Sequence, residues 1–160
     1  MAIINPDALL ANAEPIQKSR FEVTVDGIPS FLVKSFNIPQ PSTTKIVLDG
    51  INKQYKHAGK TTYGDMTMTL YQAVDPSTLQ MIYAWHRLQY ESETGKKGYT
   101  EMYKKNMQID ILDPLGTTVQ RHKILGAWIT EITGLDYDKS ADDKVDITIT
   151  LSIDEPILEF

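Results

Sequence analysis

The chain has 160 residues, no cysteine, three histidines and no excess of positive charge. Without cysteine there is no disulfide framework and no thiolate nucleophile. A formal net charge of -5 argues against a surface built to grip nucleic acid, because gripping phosphates takes an excess of lysine and arginine. No run approaches the roughly 18 consecutive apolar residues of a membrane-spanning helix. The opening MAIINPDALLANAEP lacks the basic start and apolar run of a signal peptide. A cytoplasmically made protein with no membrane contact is therefore expected. His57, His86 and His122 fall in three separate segments, none with a second ligand at metal-binding spacing, so no metal site is expected.

Motifs of catalysis are missing as well. Gly95-Lys96-Lys97-Gly98 lacks the spacing of a phosphate-binding loop and opens no helix. Ser19, Ser35 and Ser152 stand in ordinary strand context, with no nucleophile elbow. Asp142 and Asp143 are neighbours in a polar turn, where nothing splits their pKa values into an acid and a base. The reading is of a protein that is not an enzyme and uses no cofactor.

What the sequence has is alternation. In KVDITITLSID, residues 144–154, Val145, Ile147, Ile149, Leu151 and Ile153 alternate with Asp146, Thr148, Thr150, Ser152 and Asp154. A strand turns successive side chains to opposite faces, so one face of this one is apolar and the other wet. RFEVTV (20–25), FLVKSFNI (31–38), TKIVLDG (44–50) and DMTMTLY (65–71) also read as strands, divided by Asp-Gly and proline signals. Residues 43–58 read as a long hairpin. Residues 106–125 read as a second hairpin, turning at Asp113-Pro114-Leu115-Gly116. GAWITEITGLDYD (126–138) is a further strand, broken at Gly134. One helix is predicted over 76–92, with Asp75 as N-cap and Pro76 in the first position.

The class is mainly β: two packed antiparallel sheets, sandwich or barrel, with one flanking α-helix. Residues 20–160 form a single domain, and at this length about 70% of the unfolded chain's surface can be buried. Residues 1–19 read as an N-terminal arm with a helical turn begun by Asn5 and Pro6 and no core of its own.

Two surfaces are left over. Leu79, Ile82, Tyr83 and Tyr90 point to one side of the predicted helix and Met81, Trp85 and Leu88 to another, more than the single apolar stripe a surface helix needs. Met81, Trp85 and Leu88, with Ile3, Ile4, Leu9 and Leu10 of the arm, are therefore candidate subunit contacts. Asp65, Thr67 and Thr69 on one strand and Asp146, Thr148 and Thr150 on another make a wet face of small hydroxyls and acids, free of lysine and aromatics.

The ordered combination FEVTVDG, FLVKSFNIPQP, KHAGKTTYGDMTMTLY, the proline-started helix and ILDPLGTTVQRHKILGAWITEITGLDYD resembles the tail tube proteins of contractile-tailed bacteriophages, from about Arg20 to about Ile153. The resemblance implies six copies in a ring, rings stacked into the inner tube of a virion tail, and sheets joined into one barrel around a channel that delivers DNA. It implies as partners the chain itself, the tail sheath protein, baseplate and tail terminator proteins, and genomic DNA that passes without specific binding. Asp65, Thr67, Thr69, Asp146, Thr148 and Thr150 become candidate lumen-facing residues. The tubes of type VI secretion systems and tail-like bacteriocins share the resemblance. A baseplate tube initiator, making one ring without elongating, is another relative. A monomeric β-sandwich binding module is the alternative of another class.

Overall fold

A computed structural model describes residues 6–160. A short helix, α1 (Pro6–Asn12), runs through an extended segment into β1 (Phe21–Val25), a 3-10 turn and β2 (Val33–Phe36). β3 (Pro41–Asp49) and β4 (Gln54–Tyr63) form a separate hairpin, followed by β5 (Met66–Tyr71), α2 (Thr78–Gln89) and the single-turn α3 (Thr100–Tyr103). β6 (Lys105–Leu112), β7 (Thr118–Thr133), β8 (Asp146–Ser152) and β9 (Glu155–Leu158) complete the chain. All strand pairs are antiparallel, in the order β1-β6-β7-β8-β5-β2, with β9 on the outer half of β7.

β7 makes two layers from one sheet. Its first half pairs with β6 and β9, and residues 128–133 pair with β8. The strand turns the corner at Gly126, whose φ is +67° and where any Cβ would collide with the Asp154 carboxylate. Only glycine tolerates both conditions. Lys104 closes the corner, holding both Asp154 oxygens at 2.9 and 3.0 Å. At the far ends β1 and β2 approach each other at Phe21 and Phe36, with ring centroids 4.8 Å apart, edge to face.

The core lies between the layers. Val23, Met107, Ile109 and Ile124 face Met66, Met68, Leu70, Ile147, Ile149 and Leu151, all essentially without solvent contact. Ile82 and Trp85 of α2 join this cluster. Removing so many apolar side chains from water is the main stabilising term.

Several expectations change. The helix begins at Thr78, not at Pro76, after a cis Asp75–Pro76 peptide. Its start is fixed by the buried Thr78, whose hydroxyl donates to the Tyr71 carbonyl (2.8 Å) and accepts from the Ala73 N–H (3.0 Å). The strands expected over 106–125 and 126–138 are joined, because Gly126 bends β7 without ending it. The hairpin extends over 41–63, beyond 43–58. β9 was not expected; it follows β8 directly and places Pro156 in an edge strand, where a missing N–H is tolerated.

Candidate channel face and assembly surfaces

β5 and β8 place five of the six candidate lumen residues side by side. Thr67 pairs with Thr150, Thr69 with Thr148, and Tyr71 with Asp146, while Met66, Met68 and Leu70 meet Leu151, Ile149 and Ile147 on the buried side. β7 continues the face with Glu131 opposite Thr150 and Thr133 opposite Thr148, and β2 adds Ser35 opposite Thr69. Asp65 is exposed in the link just before β5.

The hydroxyls are largely spent on the protein. Thr69 and Thr148 hydroxyls are 3.3 Å apart. Thr130 and Thr133 donate to the carbonyls of Thr150 and Thr148. Thr67 gives both its N–H (2.7 Å) and its hydroxyl (2.6 Å) to Asn37 Oδ1. Bonds made within the face leave few groups to hold a passing ligand.

One end of the face differs from the expectation of acids without lysine or aromatics. Lys34 Nζ, reaching across from β2, sits 2.7 Å from Asp146 Oδ2. Lys34 and Lys144 both lie over the Tyr71 ring, at 5.5 and 4.9 Å from its centroid. The hydrogen bond to Asp146 raises the Lys34 pKa above its ordinary value. Asp146 is thus a paired charge. Tyr71 was legible from its odd position on β5; Lys34 was not, because only the sheet order brings it there.

The candidate contacts on α2 divide. Trp85 is a core residue, 3% exposed, with its indole N–H donating to the Tyr103 carbonyl (2.8 Å) and Lys105 Nζ 5.1 Å from its ring centroid. It is therefore unavailable to a neighbour: the helix has a second partner in α3, whose Tyr103 carbonyl holds the indole. Met81 is half-buried against the core, and Leu88 is exposed. Leu9 and Leu10 are exposed on α1. Ile3 and Ile4 lie outside the described residues.

A surface that sequence reasoning left without side-chain detail is the β3–β4 hairpin. Every residue from 40 to 62 is exposed except the half-buried Gly59. The register puts Ile46 opposite His57 and Leu48 opposite Tyr55, one apolar face, while Lys45, Val47, Lys56 and Ala58 form the other. Ile46, Leu48 and Tyr55 are each more than half exposed. A bulge between Thr43 and Lys45 brings Gly59 against Thr44, where a Cβ would stand 2.9 Å from the Thr44 carbonyl oxygen.

Among the described residues no three His, Asp or Glu side chains are placed to hold a metal ion, and no helix is long and apolar enough to cross a membrane.

Residues 17–155 match the model of the T4-like virus tail tube protein gp19 family. The chain belongs to this tail tube family. Membership makes it a tube-type structural protein of contractile systems. No curated protein sequence matches it. The fold is shared with the sheath/tube terminator of an extracellular contractile injection system, PVC, at 21% identity and a TM-score of 0.74, covering 93% of this chain and 99% of that one. It is also shared with a chain of the PVC sheath-tube complex, at 21% identity and TM-score 0.70, covering 95% and 96%. Hcp1 from Flavobacterium johnsoniae is a more distant likeness, at 12% identity and TM-score 0.53, covering 88% and 94%.

Proposed function

We propose that six copies of this tail tube protein close into a ring, that rings stack into a tube inside a contractile sheath, and that the threonine-rich face lines a channel through which DNA is delivered from a virion. The observation that carries this reading is the four-stranded sheet β2-β5-β8-β7 with two unpaired edges. Among the described residues β2 bonds only to β5, and no strand takes the other edge of β7 over 128–133. β2 and β7 run in opposite directions, so a neighbour's β7 beside β2 continues the antiparallel order. Six such sheets close into a barrel of twenty-four strands, in which no edge remains open. Porins with 16–18 strands already enclose an aqueous channel.

The chemistry of the face suits passage. Six copies at -5 give a ring of about -30, which repels phosphates. Lys34 neutralises Asp146, so the low grip rests on short, internally bonded threonines more than on local charge. Sheath, baseplate and tail terminator proteins are the further partners of this reading. The arm, residues 1–19, and domain 20–160 are its two parts. With Leu9, Leu10 and Ile16 exposed, the arm packs on a neighbour, and deleting residues 1–15 leaves a folded protein that polymerises poorly.

Electron microscopy of the purified full chain at high concentration tests the reading. Six-fold rings or hollow tubes are expected. An 18.1 kDa monomer as the only species in the ultracentrifuge would overturn it.

A further inference from the structure

We infer that the Asp146 carboxylate is a two-position latch, held by Lys34 in this structure and handed to Lys144 when Lys34 withdraws. The latch lets the open edge of the sheet release a lysine without leaving a carboxylate alone. It is a property of the single chain and stands apart from the tube reading.

The first observation is the route by which Lys34 arrives. Val33 pairs with Leu70 and Ser35 with Thr69, so Lys34 is the extra residue of a bulge in β2. A bulge takes its extra residue out of the ladder and re-aims the side chain. From there Lys34 crosses the width of β5, passes over the Tyr71 ring, and meets Asp146 Oδ2 on β8 at 2.7 Å. β2 has only four residues, and this strap ties the short edge strand to the second strand inward. The other end of β2 is pinned separately. There Asn37 Oδ1 accepts the Thr67 N–H at 2.7 Å, and the Asn37 N–H donates to the Thr67 carbonyl at 3.2 Å.

The second is a surplus of positive charge around one acid. Lys144 lies two residues before Asp146 and so shares its face of the extended chain. Its Nζ is 4.9 Å from the centroid of the same Tyr71 ring, against 5.5 Å for Lys34. Two ammonium groups thus share one aromatic ring beside one carboxylate. Among the described residues Lys144 has no acid of its own within ion-pair distance. Like charges repel, and a cation–π contact at an exposed site is weak, so each lysine competes with the other for Asp146.

The third is an unused acceptor. Asp146 Oδ1 is shut off from solvent and receives no hydrogen bond from any described residue. One carboxylate oxygen is engaged and one waits; one lysine is engaged and one waits. Were Lys34 to leave with nothing in its place, Asp146 would be the remnant of a broken ion pair, which is unfavourable wherever water is scarce. Lys144 can take over by turning its own flexible stem. β2 and the 134–145 loop therefore hang on the same carboxylate, and whichever holds it leaves the other freer.

The test is a double-mutant cycle in the dispersed full chain, read by chemical unfolding. Lys34→Met and Lys144→Met keep much of each stem and remove the charge, and circular dichroism should show both folded. Each alone should raise the unfolding equilibrium constant by no more than about threefold, because the other lysine holds the carboxylate. Together they should raise it about tenfold beyond the product of the two. In an Asp146→Asn background the same two changes should simply multiply. Nitrogen NMR of the lysine ammonium groups gives a second reading that does not need the double variant to fold. An ammonium locked in an ion pair keeps its protons long enough to be seen. Lys34 should be seen in the wild type, and Lys144 should appear in Lys34→Met and vanish again when Asp146→Asn is added. A large loss from Lys34→Met alone, effects that multiply without excess, or a Lys144 signal that never appears would overturn the latch.

Discussion

The sheet β2-β5-β8-β7 and the hairpin β3-β4 are both antiparallel, and they solve opposite problems. The sheet has one face sealed by Met66, Met68, Leu70, Ile147, Ile149 and Leu151, and its other face is wet. The hairpin has no sealed face at all; Ile46, Leu48 and Tyr55 stand in water. The sheet's apolar face is sealed within one chain, though its two edges are not. The same apolar residue type therefore has different consequences in the two places: buried in the sheet it stabilises the fold, and exposed on the hairpin it contributes little to it.

Matched substitutions sharpen this contrast. Ile149→Ala leaves a cavity in the closed core and should cost about 2–5 kcal/mol of unfolding free energy in denaturant titration. Leu48→Ala should change that free energy by less than about 0.5 kcal/mol, since the side chain is already exposed, yet weaken assembly. A large loss of monomer stability from Leu48→Ala would mean that the hairpin is covered within its own chain.

The corner that separates the layers is the next place to press. Gly126→Ala forces a side chain into the left-handed region and against the Asp154 carboxylate, so a loss of about 2 kcal/mol is expected by thermal or chemical unfolding. An unchanged midpoint would show that β7 reaches its corner by another route.

A smaller effect comes from the outer layer's buried carboxylate. Burial pushes the Asp110 pKa up, but hydrogen bonds from Arg121 (2.8 Å) and Gln108 (3.0 Å) outweigh it, and the carboxyl is held below its ordinary value. A carboxylate depressed in the folded state contributes stability that is present above its unfolded pKa, about 4, and is lost as pH falls through the folded one. Asp110→Asn should flatten that acid limb in stability measured from pH 6 downward. An acid limb as steep as the wild type's would assign the effect to other groups.

The smallest change in stability, within about 0.5 kcal/mol, is expected from Thr148→Lys on the wet face of the sheet. Folding and tubes should survive. Phosphate attraction should then slow DNA ejection from reconstituted particles, most at low salt. Unchanged ejection at low salt would place this face outside the channel.

The parts of this comparison were unequally legible. Strict alternation in 144–154 and 65–71 separated core from wet face, because a strand's period of two is independent of where the strand sits. The helix misled. Trp85 lies on an apolar stripe that points at α3, a partner whose position depends on the whole chain tracing back through Lys104 and Asp154. Lys34 was hidden for the same reason: it reaches Asp146 across 112 residues of sequence through β5. Gly126 read as a break because a glycine that bends a strand and one that ends it look alike without the strand on the other side. The hairpin's boundaries were nearly visible from Asp49-Gly50, but its nakedness was not, since exposure is a property of what fails to pack on it.

Amide hydrogen exchange on dispersed and assembled protein tests the central contrast most directly. β5 and β8 amides should be protected equally in both states. Amides of residues 41–63 should exchange within seconds in the dispersed protein and become protected in the tube. Protection of the hairpin already in the dispersed protein, or its continued rapid exchange in the tube, would contradict the account.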